Sequence, residues 1–260
     1  MKKIHLAASA LLMMTAAASA ADLPMKAPIM PATVYSWTGW YIGGNIGGGG
    51  ATTAFGDPCF YCSSANITDG FFTGGIQTGY NYQFGNGLVG VEADVNWNSI
   101  NNKFLMGGDD SEAMHVGLKA DWSGTLRARG GLVMNNALVY VTGGAAWANV
   151  KQSGTEVCNR NNGCEGNFAG VIPVGAPTGI TANSSHTEWG AVIGAGVEYA
   201  VSPNWTVGGE FLHTMYQHST ANILNPNGSD DCGNNFQSNC TITAQLTTDV
   251  VRLRFNYKFY

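Results

Sequence analysis

The chain has 260 residues, of which 11% are charged and 36, or about 14%, are glycine. An average soluble domain has about 25% charged residues and about 7% glycine. Its 12 basic and 17 acidic side chains leave a net charge of −5, which argues against a nucleic-acid-binding protein. The low charge and the ample apolar and aromatic content argue against disorder. The high glycine content together with an aromatic share of 11% disfavours helices and favours β-structure.

Residues 1–20 are predicted to be a secretory signal peptide. Two lysines near the start precede an apolar run, and Ala18-Ser19-Ala20 offers the small residues that signal peptidase needs, so we expect cleavage after Ala20. Residues 21–36 contain three prolines and are predicted to be a tether, because proline fits poorly inside a sheet. Residues 37–260 are predicted to form one barrel domain.

Eight segments of this domain are predicted to be β-strands. The clearest is the last, in which Val251, Leu253 and Phe255 alternate with Arg252 and Arg254. A period of two is typical of a strand, here with one apolar and one cationic face. In chain order, the predicted strands cover approximately residues 37–48, 74–84, 88–98, 121–133, 137–150, 188–201, 204–216 and 246–260.

The connections between these strands alternate in length. Tight turns are predicted at 85–87, 134–136 and 202–204, and long polar links at 50–72, 99–120, 151–187 and 217–245. With eight strands, all the long links emerge at one end of the sheet, as in outer-membrane barrels with short periplasmic turns. The sequence therefore predicts an all-β protein, an eight-stranded antiparallel up-and-down transmembrane β-barrel.

Alternation alone leaves open a soluble barrel whose apolar face lines a ligand cavity. Aromatic residues near the ends of the predicted strands favour the membrane barrel, because such residues form girdles at the two membrane interfaces. A scarcity of lysine also argues against a water-exposed wall. The predicted aromatic girdle consists of Trp37, Trp40, Trp97, Trp122, Trp147, Trp189, Trp205, Tyr257 and Phe259.

Three stretches carry a resemblance to a known family. WTGWYIGGNIGG at 37–48, ADLPMKAP at 21–28 and the terminal VRLRFNYKFY are similar to the small outer-membrane surface-antigen barrels of alphaproteobacteria, a porin family of opacity type with an OmpA-like membrane barrel. The resemblance implies insertion into the cell outer membrane but no shared biochemical activity. Strands of such barrels usually end on an outward aromatic residue; here Phe259 is in frame and Tyr260 lies one residue beyond it.

The inward face of the predicted barrel collects charged side chains of both signs. A barrel of eight strands has an interior just wide enough for side chains, so these charges are expected to pair with one another. Three interpretations follow: a plug of ion pairs that fills the lumen, a narrow path for water or small solutes, or a catalytic pair of carboxylates. The predicted lumen charge network consists of Glu92, Asp94, Arg127, Arg129, Glu198, Glu210, Arg252, Arg254 and Lys258.

The six cysteines fall into three close pairs, and each pair lies within one predicted link. An exported protein meets an oxidising environment, which favours three local disulfide bonds that hold the shape of the links. The disulfide candidates are Cys59 with Cys62, Cys158 with Cys164, and Cys232 with Cys240. Neither the cysteines nor the histidines have the spacing of a metal site or a catalytic set, so we expect no metal, no cofactor and no enzymatic activity.

The sequence therefore predicts a structural and surface-antigen protein that supports the integrity of the outer membrane. The first alternative is a narrow porin-like channel for small solutes. The second is binding of a ligand such as haem, or of a host surface, through the long links. The expected partners are outer-membrane lipid, lipopolysaccharide and, through the C-terminal strand, the barrel-assembly machinery, with no nucleic acid.

Overall fold

The computed structural model describes residues 35–56, 64–107, 112–158, 164–165, 171–172, 175–224 and 241–259. These residues form ten strands: β1 (Gly39–Gly56), β2 (Ser64–Phe84), β3 (Gly87–Gly107), β4 (Glu112–Met134), β5 (Ala137–Cys158), β6 (Cys164–Glu165), β7 (Val171–Ile172), β8 (Pro177–Ala200), β9 (Trp205–Leu224) and β10 (Thr241–Lys258). The described part of the chain includes no helix long and apolar enough to cross a membrane.

Eight of these strands close into an antiparallel barrel in the order β1-β10-β9-β8-β5-β4-β3-β2, while β6 and β7 pair only with each other. Strands that follow one another in the chain are neighbours in the barrel, and β10 closes the ring by pairing with β1 from Tyr41 opposite Lys258 onward. The predicted eight-stranded up-and-down barrel is confirmed.

Short connections join β2 to β3, β4 to β5 and β8 to β9 at one end of the barrel, which we call the near rim. Gly85 and Asn135 adopt positive φ angles of 57° and 55° in the first two of these turns. Glycine and asparagine tolerate this left-handed conformation, which tight hairpin turns require. All three predicted tight turns are thus turns between barrel strands, and the opposite ends of the strands form the far rim.

The strands are longer than the sequence predicted. The eight barrel strands run for 18 to 24 residues, about twice the 9–11 residues that a tilted strand needs to cross a bilayer. Most of the predicted link at 99–120 is paired strand in β3 and β4. The predicted links at 50–72, 151–187 and 217–245 also include the far ends of strands. The prediction that these whole segments are loops is wrong.

The reason lies in a reversal of polarity along each strand. In the half of β3 next to the near rim, Val91 and Val95 are exposed while Glu92 and Asp94 are buried. Toward the far rim the pattern inverts: on β4, Leu118 is buried and its neighbour Lys119 is exposed. The near half is therefore apolar outside and charged inside, and the far half is polar outside and apolar inside.

The inverted interior of the far half forms a continuous buried cluster of mainly aliphatic side chains. It resembles the interior of a water-soluble barrel, in which burial of apolar surface is the main stabilising contribution. Its members are Ala51, Phe55, Phe71, Ile100, Met114, Val116, Leu118, Ala120, Ala146, Ala148, Val150, Ile180, Ala182, Val192, Leu212, Tyr216, Ala221, Ile223, Ile242, Ala244, Leu246 and Val250. We call this set the far core.

Irregular pairing accompanies the change of polarity in some strands. On β4 the register with β5 shifts between Ala120 and Ser123, and both of these residues point inward. Such a bulge inserts one extra residue and changes which positions face the interior. The pairing of β8 with β9 is also interrupted, between Ala182 and Gly190.

Inward-facing glycines make room for the large side chains of the near half. A Cβ atom added at Gly196 of β8 would lie 2.5 Å from the Tyr140 hydroxyl, whereas one added at Gly209 of β9 would meet nothing within 4 Å. The Tyr140 hydroxyl in turn contacts Glu210 and Arg254. Because Gly196 has no side chain, the Tyr140 ring can occupy this space and keep its contacts with Glu210 and Arg254.

Gly196→Ala is therefore expected to destabilise the barrel, because the new methyl group displaces Tyr140 from its contacts. Overpacking of this kind costs about 1–3 kcal/mol. The measurement is the temperature at which the fast-migrating, unboiled form on a gel converts to the slow, unfolded form. Gly209→Ala is the matched control and should leave that temperature unchanged. Equal midpoints for the two variants would contradict the proposed packing.

Candidate functional site

Four carboxylates and four guanidinium groups meet inside the near half of the barrel. Cross-strand register brings some of them together directly, because Glu92 of β3 lies opposite Arg127 of β4, and Glu210 of β9 lies opposite Arg252 of β10. Every one of the eight side chains is almost completely buried. We call them the lumen network: Glu92, Asp94, Arg127, Arg129, Glu198, Glu210, Arg252 and Arg254.

Glu92 has the largest number of charged neighbours in the lumen network. Its carboxylate accepts hydrogen bonds from Arg127 and Arg254, and it lies 3.4 Å from Arg129 Nη1 and 3.9 Å from Arg252 Nη2. One carboxylate thus contacts all four arginines. Hydrogen bonds between charged groups are stronger than those between neutral groups, so this arrangement stabilises the buried carboxylate.

Asp94 and Glu210 extend the network across the lumen. Asp94 lies 3.0 Å from both Arg127 and Arg252. Glu210 lies 3.0 Å from Arg127, 2.7 Å from Arg252 and 2.8 Å from Arg254. These three arginines therefore each bridge more than one carboxylate. Since the numbers of positive and negative groups are equal, the lumen network is neutral.

Two tyrosines belong to the same arrangement. The Tyr41 hydroxyl donates to Glu92 at 2.5 Å and accepts from Arg129 at 3.0 Å. The Arg129 guanidinium also lies 4.0 Å from the ring centre of Tyr140, a cation–π contact. Neither tyrosine can be assigned to a face from the sequence, because their strands are rich in glycine, which blurs the alternation that assigns residues to faces.

Lys258, the ninth residue predicted for the lumen, is buried closer to the near rim. Its ammonium group donates to the Ser36 carbonyl and lies 4.5 Å from the ring centre of Tyr35. These contacts place the ammonium group of Lys258 beside the segment before β1, at a different level from the eight charges of the lumen network.

Trp37 is not part of the outer girdle, and that prediction is wrong. It is 2% exposed and lies inside the barrel, edge-on to Tyr35 at a ring separation of 4.9 Å. The backbone at Trp37 donates to Gln83 at 2.9 Å, which draws the segment before β1 into the near rim. With Leu88, Val133, Leu138, Tyr140 and Ala200 these two rings form a second buried cluster, which we call the near plug.

The other predicted girdle residues lie on the outer wall. Trp40, Trp205, Tyr257 and Phe259 lie next to the near rim, and Tyr257 is partly covered because it packs edge-on against Trp205 at 5.1 Å. Trp97, Trp122, Trp147 and Trp189 lie where the outer surface changes from apolar to polar. Trp97 is directly opposite Trp122, and Trp147 is directly opposite Trp189.

Two small cavities flank the lumen network. One of about 40 Å³ lies between the network and the far core, with Asp94, Arg252 and Leu246 in its wall. The other, of about 10 Å³, lies on the side of the near plug beside Trp37 and Lys258. The larger has room for more than one water molecule, since about 10–15 Å³ of such space holds one.

The cysteine predictions lie mostly outside the described residues. Cys158 is buried at the end of β5. Cys59, Cys62, Cys232 and Cys240 lie outside the described ranges, as does the side chain of Cys164. The three predicted pairings remain predictions, as does the signal peptide.

Several known proteins are similar to this chain. A family model described as "Outer membrane protein beta-barrel domain" matches residues 7–259. The chain is 32% identical over 272 residues to the 31 kDa outer-membrane immunogenic protein of Brucella melitensis biotype 1, with 100% of both chains covered. It is 33% identical over 192 residues to the 22 kDa outer membrane protein of Rhizobium leguminosarum bv. viciae, with 74% of this chain and 69% of that protein covered.

Among solved structures, the outer membrane protein OprG from Pseudomonas aeruginosa matches with a TM-score of 0.50 and 16% sequence identity, covering 87% of this chain and 98% of OprG. This likeness concerns the fold alone. Together, the family model and the relatives locate the protein in the cell outer membrane, as the resemblance of its terminal strands implied. The chain belongs to the family of outer-membrane β-barrel proteins that includes immunogenic surface proteins of alphaproteobacteria.

Proposed function

We propose that this protein is a structural and surface-displayed component of the outer membrane whose lumen does not conduct solutes. The observation that carries the proposal is the filling of the lumen at three successive levels. The near plug occupies the periplasmic end, the neutral lumen network follows, and the far core fills the outer half. A solute on the barrel axis would have to displace all three.

The lumen network opposes opening because each of its charges depends on several partners. Removing one partner of a buried ion pair leaves an uncompensated charge, at a cost of about 3–5 kcal/mol. Arg127 contacts three different carboxylates, so its displacement would remove a positive partner from three acids at once. Ion pairs that cross the lumen between β3, β4, β9 and β10 also tie opposite walls together.

The alternative of a narrow channel has less support. Channels usually line their path with rings of one charge sign or with backbone carbonyls, whereas the lumen network is neutral and its members are bonded to one another. The cavities of about 40 and 10 Å³ lie on opposite sides of the network, so its buried side chains interrupt a path between them.

Purified protein in a planar lipid bilayer is therefore expected to give no discrete conductance steps at neutral pH. A large-lumen porin reconstituted in the same way is the positive control. If steps do occur, Arg127→Gln and Glu198→Gln distinguish their origin. A change in step size in these variants would overturn the closed lumen, whereas unchanged steps would place the current outside the lumen network.

Arg254→Met is expected to destabilise the barrel by about 3–5 kcal/mol, because it leaves the carboxylates in excess. Glu92→Gln alone should also destabilise it by leaving the guanidinium groups in excess. The double variant restores neutrality and should be more stable than the sum of the two single effects implies. The measurement is the temperature at which the unboiled gel band is lost; strictly additive effects would contradict a coupled network.

Surface display is supported by the far half, whose outer wall is polar and extends past the apolar band. The relatives named as immunogenic outer-membrane proteins support the same role. Exposure of this wall to the outside would make it accessible to antibodies, whether or not the connections beyond it take part.

Ser185 and Val197 provide a matched pair on the outer face of β8, the first in the polar far half and the second in the apolar band. On intact cells, a membrane-impermeant maleimide should label Ser185→Cys above the wild-type background and should leave Val197→Cys at background, since lipid covers that position. Labelling of Val197→Cys, or failure at Ser185→Cys in cells with folded protein, would contradict the proposed membrane level.

A further inference from the structure

The exposed basic residues of the barrel are confined to one part of its outer wall. Lys103 of β3, Lys119 of β4 and Lys151 of β5 are all exposed. Every other lysine or arginine in the described ranges, namely Arg127, Arg129, Arg252, Arg254 and Lys258, is buried inside the barrel. Three neighbouring strands of an acidic protein thus carry all of its described exposed positive charge.

Strand register places these lysines side by side. Lys119 is directly opposite Lys151, an arrangement that puts Cβ atoms about 4.5–5.5 Å apart. Lys103 is diagonal to Lys119, since Asn101 is the residue opposite Lys119. Lys151 lies 3.0 Å from Asp121, and both members of this pair are exposed, so the pair is weak. The cluster keeps a net positive charge.

Like charges directly opposite each other in a sheet are unfavourable. Neither Lys103 nor Lys119 forms an ion pair in the described part of the protein. An anion bound between the ammonium groups would remove the repulsion, and phosphate oxygens are suitable acceptors for lysine.

The level of the three lysines on the outer wall indicates which anion they would bind. Trp97, Trp122, Trp147 and Trp189 form a belt on the same wall where the outer surface changes from apolar to polar, and tryptophan rings favour the membrane interface. The three lysines follow this belt by three to six residues in the direction of the far rim, roughly 10–20 Å along the strands. Lipid headgroups occupy this level.

We propose that Lys103, Lys119 and Lys151 form a binding site for the phosphate groups of the glycolipid in the outer leaflet, with its acyl chains lying on the apolar wall below the tryptophan belt. The site recognises phosphate through ammonium charge and places the lipid through the aromatic belt. It lies outside the barrel and does not depend on whether the lumen conducts.

The test is native mass spectrometry of the full protein in detergent with bisphosphorylated lipid A as the probe. Changing all three lysines to glutamine should weaken lipid A binding by about tenfold or more, since each basic residue at a membrane surface adds to the attraction. Changing all three to arginine keeps the charge and should keep the binding. The unboiled gel band confirms that both variants are folded.

Two further probes separate the possible sources of phosphate. Lipid A without phosphates should bind only weakly to the wild-type protein, and its binding to the glutamine variant should be equally weak. Inorganic phosphate at millimolar concentration should not displace lipid A, because it makes no use of the tryptophan belt. Equal binding of bisphosphorylated lipid A to the wild type and the glutamine variant would overturn the site, and displacement by inorganic phosphate would overturn the assignment of lipid as its occupant.

Discussion

The narrow interior of a closed barrel requires every inward-facing charge to have a partner, and the rest of the near half depends on this constraint. Water cannot solvate buried charges in so small a space, so their desolvation has to be offset by direct ion pairs. Glu92 meets this requirement with four arginines. Tyr41 and Tyr140 add hydrogen bonds to the network, and inward glycines such as Gly196 leave the volume that these large side chains need.

A second constraint arises because, at the membrane level proposed above, each strand passes through two surroundings. Beside lipid, the outer face must be apolar, and the polar residues turn inward. Above the membrane, water surrounds the wall, and the apolar residues turn inward to form the far core. The polarity of the two faces therefore reverses along a single strand, as from Glu92 to Ile100 on β3. One continuous sheet thus has the residue pattern of a membrane barrel in its near half and that of a water-soluble barrel in its far half.

This reversal explains which parts of the fold could be predicted from the sequence. The near half has regular alternation and tight turns with suitable residues, so its strands, its topology and the inward position of its charges could be predicted. The far half has short apolar side chains separated by Asn, Gly, Ser and Thr, a composition that resembles loops. On β4 the bulge between Ala120 and Ser123 also shifts the phase of the alternation, so the pattern does not continue across it.

The sequence by itself determined the fold class, the number of barrel strands and, for the near half, the direction of the apolar face and the set of inward charges, because these follow from local alternation, turn residues and the positions of aromatic residues. Only the tertiary structure decided which charges pair, since partners such as Arg127 and Glu210 lie on strands far apart in the chain. It also placed Trp37 inside the barrel and brought Lys103, Lys119 and Lys151 together. Such contacts depend on register and on closure of the barrel, and neither can be read from the residues of one strand.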